Sequence, residues 1–381
     1  MLERIAARLA ELHKADQFRS LRMLSGIPLS SNDYLGLSAH PRLKSAIVRA
    51  LDEDERVAST GSRLLTGNHE RWVRLESEFA AFMAVEAALY FPSGYAANVG
   101  LLTSILKPED TVFSDQANHA SLIEGIRLSR ARKVIFPHLD LNYLEEALRQ
   151  NTGIGERLIV VESIFSMDGD RAPLGDLAVL CERFNAWLVV DEAHATGVEG
   201  MVGRGCVDAA GRTERVLATV HTCGKALASM GAFVTGSQTL CNFLINHARP
   251  FIFTTALPPY CAAHLSEAID LAAEANPQRE HLQRLSGHLR RRLRDAGFDV
   301  GRSDSHIVPL VLGSNETALR FAAALFSAGF AVRAIRPPTV PTGSARLRLS
   351  MNAELLLGDI DRLINALEEV RTVGAVYDRP Y

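Results

Sequence analysis

The segment WLVVDEAHATG, residues 187–197, decides the fold class. Its first four residues are apolar, as in a buried strand, an acid ends the run, and turn residues follow. In an open α/β sheet, ligands bind at the carboxyl ends of the strands, which is where Asp191 would lie. A buried salt bridge or a helix cap would also explain Asp191, and a structural hydrogen bond would also explain His194.

Similar segments lie on both sides of this strand. Short apolar runs at residues 88–91, 134–137 and 158–164 are each followed by turn residues and then by a helical pattern. Alternation of strand, turn and helix predicts an α/β fold with a mostly parallel sheet.

The chain is predicted to have three regions. Residues 1–38 form an N-terminal arm with an amphipathic helix over Leu2–Leu12, and residues 39–275 form the large domain. A long helix after Pro258-Pro259 is expected to end at Asn276-Pro277. Residues 276–381 form a small α+β domain. Its predicted strands are at residues 306–312, 330–335 and 345–351.

The composition is that of a globular protein with more than one domain. The chain has 381 residues, of which 47% are hydrophobic and 22% charged, and its net charge is -3. This balance argues against nucleic-acid and membrane-surface binding. No apolar run is long enough to span a membrane, and the N-terminal residues lack the apolar core of a secretory signal. The five cysteines have no CxxC spacing, so we expect free thiols, no metal site and a cytoplasmic location.

Lys225 stands in the segment HTCGKALASMGAFVTG, residues 221–236, between an apolar strand and a glycine-rich apolar stretch. A lysine in such surroundings is unusual, because burial removes the hydration of its ammonium group. Desolvation makes the amine a nucleophile that forms Schiff bases with carbonyl groups. A solvent-reaching lysine at a helix start is the alternative interpretation, and Thr222 could cap that helix or bind a phosphate.

The segment LYFPSGYAANVG, residues 89–100, predicts a strand, a turn and the start of a helix. Backbone N–H groups at that helix start would bind an anion, although an ordinary turn between strand and helix has the same pattern. The chain has no GxGxxG, HExxH or GxSxG motif, so its chemistry has to come from these segments.

Together the three segments resemble the pyridoxal-phosphate enzymes of fold type I. The shared order is a phosphate cup at Gly94 and Tyr95, then His119, then Asp191, then Lys225. Longer motifs narrow the resemblance to the α-oxoamine synthase family and span most of the chain. These motifs are SNDYLGLS (31–38), FSDQANHASLIEGIRLS (113–129), ESIFSMDGDRAPLGDL (162–177), VVDEAHATGVEG (189–200), GRG (203–205), HTCGKAL (221–227), FTTALPP (253–259) and IRPPTVPTGSARLRLS (335–350).

The resemblance implies a fold type I, aminotransferase-like α/β architecture. The large domain would hold a mostly parallel, seven-stranded sheet and would bind pyridoxal 5'-phosphate. The catalytic residues would be Lys225, which holds the cofactor and moves the Cα proton, Asp191, which keeps the pyridine nitrogen protonated, and His119, which stacks on the ring. The implied cofactor-binding residues are Gly94, Tyr95, His119, Ser166, Asp191, His194, Thr222 and Lys225.

The resemblance also implies the substrates. Its best-fitting branch condenses L-alanine with a pimeloyl thioester of coenzyme A or a carrier protein, in biotin biosynthesis. The implied substrate-binding residues are Arg19, Asn32, His119, Arg336, Thr339 and Arg348. Arg348 and Asn32 would bind the alanine carboxylate, and Arg19, with Arg22 nearby, would meet the acyl group. No long apolar stripe near Arg19 suggests a lipid tunnel.

Sibling branches of the family stay open, because they share the cofactor and differ in the amino acid and acyl group. They are 2-amino-3-ketobutyrate ligase, 5-aminolevulinate synthase and serine palmitoyltransferase. A cofactor-free regulatory subunit is a further alternative, but it has no physical need for Lys225, Asp191 and His119 together. The resemblance also implies a homodimer with shared active sites, in which Thr254 or Thr255 reaches the phosphate of the partner subunit.

Overall fold

The computed structural model describes residues 1–21, 23, 25–211 and 214–377 and divides the chain into two compact units. The large unit consists of residues 35–166 and 171–279, and the small unit consists of residues 1–34, 167–170 and 280–381. Arg22, Leu24, Arg212, Thr213 and residues 378–381 lie outside the described residues. No helix in the described part is both long and apolar enough to cross a membrane.

Helices and strands are numbered in chain order. The described helices are α1 (Leu2–Lys14), α2 (Pro41–Glu53), α3 (Glu70–Phe82), α4 (Gly94–Ile105), α5 (Ala120–Ser129), α6 (Leu141–Gln150), α7 (Leu174–Arg183), α8 (Cys206–Ala209), α9 (Gln238–His247), α10 (Arg249–Ile252), α11 (Pro259–Glu274), α12 (Asn276–Asp295), α13 (Asn315–Ser327) and α14 (Leu357–Tyr377). The described strands are β1 (Ile27–Pro28), β2 (Ala87–Phe91), β3 (Thr111–Asp115), β4 (Arg132–Phe136), β5 (Arg157–Glu162), β6 (Trp187–Asp191), β7 (Val216–Thr222), β8 (Ala232–Gly236), β9 (Ile307–Gly313), β10 (Phe330–Ala331), β11 (Ala334–Ile335) and β12 (Ala345–Ser350).

The large unit is built on a seven-stranded sheet with the order β2-β8-β7-β6-β5-β3-β4. Only β8 runs antiparallel to its neighbours in this sheet. Successive residues of β6 enter different cores, with Val189 in one apolar cluster and Val190 in the other. Both faces are therefore covered, which is why the central strands are apolar without alternation. The α/β class and the mostly parallel, seven-stranded sheet predicted above are confirmed.

Two acids lie side by side at the carboxyl edge of this sheet. Parallel pairing puts Glu162, the last residue of β5, in register with Asp191, the last residue of β6. Both are buried, with 2% and 4% of their surfaces exposed. Burial, together with the nearby charge of Asp191 and against the opposing effect of Lys225, raises the pKa of Glu162 to about 8. Glu162 is therefore a neutral carboxylic acid at neutral pH.

The small unit contains two short sheets. One has the antiparallel order β11-β12-β9, and in the other β1 pairs with β10 in parallel. The single strand predicted at residues 330–335 is wrong, because β10 and β11 belong to different sheets. Between them, the amide of Arg333 donates to the Ser30 hydroxyl at 3.2 Å, so this residue leaves the strand ladder.

The compact units differ from the three predicted regions at both ends of the chain. Residues 1–34 group with the C-terminal part, because β1 pairs with β10. The segment 167–170 also joins the small unit, where Gly169 O accepts from the Ser305 hydroxyl at 2.7 Å. The helix after Pro258-Pro259 ends at Glu274, as predicted, and Asn276-Pro277 begins the next helix, α12. Proline is tolerated there because the first turn of a helix does not use its N–H groups.

Replacing Glu162 by glutamine should stabilise the protein most at alkaline pH. The folded pKa of about 8 lies above the reference value of 4.5, so the native state binds more protons between the two. Stability therefore falls as the pH rises through this window, and the penalty reaches roughly 3–5 kcal/mol above pH 8. Urea unfolding of wild type and Glu162→Gln across the window measures the difference. The exposed Glu86→Gln is the control, and a difference that does not widen with pH would contradict the assigned proton.

Candidate active site

The amino terminus of α4 presents two backbone amides at the edge of the large sheet. Ser93 caps this helix, because its hydroxyl accepts from the Ala96 amide at 3.1 Å. Within the described part of the chain, the amides of Gly94 and Tyr95 donate no hydrogen bond. A Cβ atom on Gly94 would lie 2.7 Å from Oγ1 of Thr222, so glycine permits the close approach to the end of β7. Two N–H groups, a hydroxyl and the helix dipole together suit a phosphate.

Asp191 is held as a carboxylate by two hydrogen bonds. Its Oδ1 accepts from the Ala193 amide at 2.9 Å, and its Oδ2 accepts from Nδ2 of Asn98 at 2.7 Å. Asn98 comes from α4 and is almost fully buried. Since these donors replace water, a negative charge persists at a place that solvent hardly reaches.

His119 caps α5 and is connected to Asp191 through two side chains. Its Nδ1 accepts from the Ser121 amide at 3.2 Å and lies 2.8 Å from the Ser121 hydroxyl, which in turn accepts from Nδ2 of Asn98 at 2.9 Å. Part of the His119 side chain is exposed, but desolvation of its ring lowers the pKa. Asp191 opposes this shift and Lys225 reinforces it. The imidazole is therefore neutral at neutral pH.

Lys225 follows β7 in a turn and does not start a helix, so the alternative interpretation of this lysine is wrong. The side chain is only partly exposed, and its Nζ lies 2.8 Å from Nε2 of His194. His194 is itself buried in the turn after β6. An amine is thus held beside an imidazole at the strand edge that carries Asp191.

Ser166 lies in the turn after β5 and is buried. Its amide donates to Oε2 of Glu162 at 3.1 Å, which fixes the turn against the strand end. The other carboxyl oxygen of Glu162, Oε1, is buried and has no hydrogen-bond partner among the described residues.

In the small unit, Arg348 and Asn32 contact each other. Arg348 lies on β12, is 7% exposed, and donates through Nη1 to Oδ1 of Asn32 at 3.0 Å and to the Ser350 hydroxyl at 2.7 Å. The hydroxyl of the fully buried Tyr34 donates to the same Asn32 oxygen at 2.9 Å and accepts from Arg348 Nη2 at 3.3 Å. Neutral oxygens of Asn32, Tyr34 and Ser350 thus orient the guanidinium group.

Arg19, Arg336 and Thr339 form a second group in the small unit. Nη2 of Arg19 donates to the Thr339 hydroxyl at 2.9 Å, and Arg336 donates to the backbone carbonyls of Asp16 and Phe18. Desolvation and the neighbouring charge of Arg19 lower the pKa of Arg336. Two guanidinium groups held this close favour an anion between or beside them.

An open groove of about 840 Å³ lies beside these arginines. Apolar side chains from the arm, from α13 and from the β10–β11 segment supply most of its walls. These side chains include Phe18, Leu319, Ala322, Phe326, Val332 and Ile335. Arg19, Arg333 and Arg336 are the cations that line it. The expectation that no apolar stripe lies near Arg19 is therefore wrong, because the apolar face comes from α13, some 300 residues away in the chain.

Three contributors to the site were missed from the sequence: Asn98, Ser121 and Glu162. Glu162 ends the apolar strand RLIVVE just as Asp191 ends WLVVD, so the same pattern could have found it. Asn98 is an amide inside an apolar helix, which is a signal for a buried hydrogen bond. Within the described ranges, no three His, Cys, Asp or Glu side chains are arranged to hold a metal ion.

Comparisons with known proteins agree with the motifs. The aminotransferase class I and II family model matches residues 25–367. An 8-amino-7-oxononanoate synthase of Geobacter sulfurreducens is 42% identical over 385 residues, which cover 97% of this chain and 98% of that protein.

Two solved structures are similar to this chain over almost its whole length. A serine palmitoyltransferase from S. paucimobilis, solved with a bound PLP–myriocin aldimine, has a TM-score of 0.90 and 28% identity and covers 97% of this chain and 98% of its own. An 8-amino-7-oxononanoate synthase from Francisella tularensis has a TM-score of 0.80 and 29% identity and covers 92% of this chain and 99% of its own. The resemblance predicted from the motifs is confirmed, and the chain belongs to the aminotransferase class I and II family.

Proposed function

We propose that this chain is a pyridoxal-phosphate-dependent acyltransferase of biotin biosynthesis. It condenses L-alanine with a pimeloyl thioester and forms 8-amino-7-oxononanoate, CO2 and the free thiol. The observation that carries this proposal is the pair of Lys225 Nζ and His194 Nε2, 2.8 Å apart, at the strand edge where Asp191 is buried. Pyridoxal phosphate needs an amine that binds it covalently and a carboxylate that pairs with its ring nitrogen, and Lys225 and Asp191 would supply these two groups.

The residues of the large unit fit the cofactor. The amides of Gly94 and Tyr95 and the Thr222 hydroxyl would hold its phosphate, and the close approach of Gly94 to Thr222 closes the cup around it. Asp191 would hold a proton on the pyridine nitrogen. Ser166 and His194 would bind the ring hydroxyl, and His119 would lie on the ring face.

When bound, the cofactor supplies an electron sink that stabilises negative charge on the substrate Cα. Lys225 anchors the cofactor through its Nζ and then moves the Cα proton of the amino acid. Asp191 maintains the positive charge of the ring nitrogen, which makes the sink effective. His194, whose Nε2 lies 2.8 Å from Lys225 Nζ, would hydrogen-bond the ring hydroxyl of the bound cofactor.

Arg348 is the proposed anchor for the carboxylate of L-alanine. Its guanidinium group offers a planar fork of donors, and Asn32, Tyr34 and Ser350 fix the orientation of that fork. Asn32 contributes its amide as a further donor to the same carboxylate.

The groove of the small unit is the proposed site for the acyl chain. Its apolar walls suit methylene groups, and Arg19 and Arg336, with Thr339 beside them, suit the terminal carboxylate of pimelate. A palmitoyl chain has no group that would pair with these cations. The 42% identity to an 8-amino-7-oxononanoate synthase over almost the whole chain supports the same substrate.

Serine palmitoyltransferase activity is the second candidate function. It is favoured by the TM-score of 0.90 and by the apolar walls of the groove. The excess of arginines over the single acid, Asp16, in the lining of the groove and the 42% identity to an 8-amino-7-oxononanoate synthase argue for pimelate instead.

The proposed assembly is a cytoplasmic homodimer in which both subunits contribute to each active site. On the large unit, 78% of the surface of Leu65 and 71% of that of Phe253 are exposed. Exposure of large apolar side chains to water is unfavourable and is typical of a surface that another protein covers. A second copy would cover them, and the adjacent Thr254 or Thr255 would then reach the phosphate bound by the partner.

A substrate matrix tests the proposed function. L-Alanine, glycine and L-serine are combined with acetyl, succinyl, pimeloyl and palmitoyl thioesters, each as the coenzyme A and the carrier-protein form, and thiol release is measured. Pimeloyl thioester with L-alanine should have the highest kcat/KM. The preference for alanine over glycine should be about 10- to 200-fold, because a methyl pocket discriminates no further. A maximum with palmitoyl thioester and serine would identify the sibling activity instead.

Reduction with borohydride should fix the cofactor on Lys225. The measurement is peptide mapping by mass spectrometry, and Lys133→Ala, which changes an exposed lysine on β4, serves as the control that keeps the label. Lys225→Ala should bind the cofactor only reversibly, through the phosphate cup, and should lose turnover. Labelling of any other lysine would overturn the assignment.

Variants of two arginines should separate the substrates. Arg348→Lys loses the planar fork and should raise the KM for alanine about tenfold or more, with a smaller effect on the thioester. Arg19→Ala should raise the KM for pimeloyl thioester and leave that for alanine nearly unchanged. Arg8→Ala, which removes an exposed charge from α1 in the same arm, is the matched control. Equal effects on both substrates would contradict this division of roles.

A further inference from the structure

Asn98 has its orientation imposed by Asp191. A carboxylate only accepts hydrogen bonds, so the atom of Asn98 that faces Asp191 Oδ2 at 2.7 Å has to be the amide nitrogen. The second hydrogen of that nitrogen is directed to the Ser121 hydroxyl at 2.9 Å. Oδ1 of Asn98 accepts no hydrogen bond from any described residue, so these two donated bonds are what fixes the buried amide.

The orientation of Asn98 determines that of Ser121. Oγ of Ser121 accepts from Asn98, and its single hydrogen is left to donate to Nδ1 of His119, 2.8 Å away. The amide of Ser121 donates to the same Nδ1 at 3.2 Å. A ring nitrogen that accepts two hydrogen bonds carries no proton, so the proton of the neutral imidazole has to be on Nε2.

We propose that Asn98 and Ser121 are positioning residues that transmit the orientation set by Asp191 to His119 and hold its imidazole in the Nε2–H form. This inference rests on the proposed function, in which His119 lies on the cofactor ring. The lowered pKa of His119 acts in the same direction, since it keeps the imidazole uncharged.

A neutral His119 matters because of the charges that face it. The charges of Asp191 and Lys225 both act on its ring, Asp191 raising and Lys225 lowering the pKa of His119. A protonated His119 would attract Asp191 and would compete with the ring nitrogen of the cofactor for that negative charge. The Nε2–H form is uncharged and avoids this competition. It leaves Nδ1 to cap α5 and Nε2 to act as a hydrogen-bond donor.

The test reads the tautomer directly in the cofactor-loaded protein. The sample is labelled with 15N-histidine, and a His119→Asn spectrum assigns the His119 signals. Ser121→Ala removes only the hydroxyl, and Asn98→Asp replaces the donor by a second carboxylate. Ser121→Thr keeps the hydroxyl and is the rescue variant. Ser104→Ala, which loses a hydroxyl bonded to a backbone carbonyl of α4, is the matched control.

Wild type, Ser121→Thr and Ser104→Ala should show a protonated Nε2 and an unprotonated Nδ1. In Ser121→Ala and Asn98→Asp only the backbone amide of residue 121 still donates to Nδ1, so the fraction of His119 with its proton on Nδ1 should rise above that of the wild type. The pKa of His119 should also rise, because donors to Nδ1 stabilise the neutral form. The kcat of Ser121→Ala should fall about threefold to tenfold, the factor that one neutral hydrogen bond is worth.

A proton on Nδ1 in the wild type would overturn the proposal, and so would an unchanged tautomer in Ser121→Ala. If Asn98→Asp does not fold, Ser121→Ala decides the question alone, because it only deletes one oxygen atom. The result is separate from the proposed function. If the protein shows the expected tautomer but releases no thiol in the substrate matrix, the proposed function is refuted and the orienting role of Asn98 still holds.

Discussion

The buried negative charge of Asp191 is the constraint on which the candidate site depends. A carboxylate that solvent hardly reaches is stable only if donors replace its water, and the Ala193 amide and Asn98 do so. The register of the parallel sheet places Glu162 beside it, and two adjacent buried charges would repel each other. Burial and the neighbouring charge of Asp191 therefore favour the protonated form of Glu162, whose pKa is raised to about 8. The same charge orients Asn98, and through it the residues that cap α5.

The two units hold different parts of the chemistry. In the large unit, groups at strand ends and helix starts are positioned by backbone geometry, so they suit the repeated binding of one rigid cofactor. In the small unit, Arg348 is oriented by the neutral oxygens of Asn32 and Tyr34, whereas the neighbouring Arg346 pairs with the carboxylate of Asp168. A guanidinium group oriented in this way offers a planar fork of donors, which is the basis for proposing Arg348 as the anchor of a substrate carboxylate.

Much of the large sheet followed from local patterns, because strands such as β5 and β6 are short apolar runs with turn residues behind them. The strand at residues 187–190 and the helix after Pro258-Pro259 were predictable for this reason. The split of the segment 330–335 into two strands was not, since it depends on pairing with β1 and β12, which are distant in sequence. At the candidate site, Asp191 could be predicted because it is an acid that ends a buried strand. Glu162 ends a strand in the same way, but its importance follows from the sheet register, which places it beside Asp191.

The sequence by itself determined which groups are available: an amine in apolar surroundings, an acid after a buried strand, a glycine at a helix start, and the motifs of a family. These are local properties, and they persist whatever the chain does elsewhere. Only the tertiary structure decided which of two buried acids keeps its proton, which nitrogen of His119 accepts, and that α13 lines a groove beside Arg19. Such properties depend on distances of a few ångströms between residues far apart in the chain, and no local pattern specifies those distances.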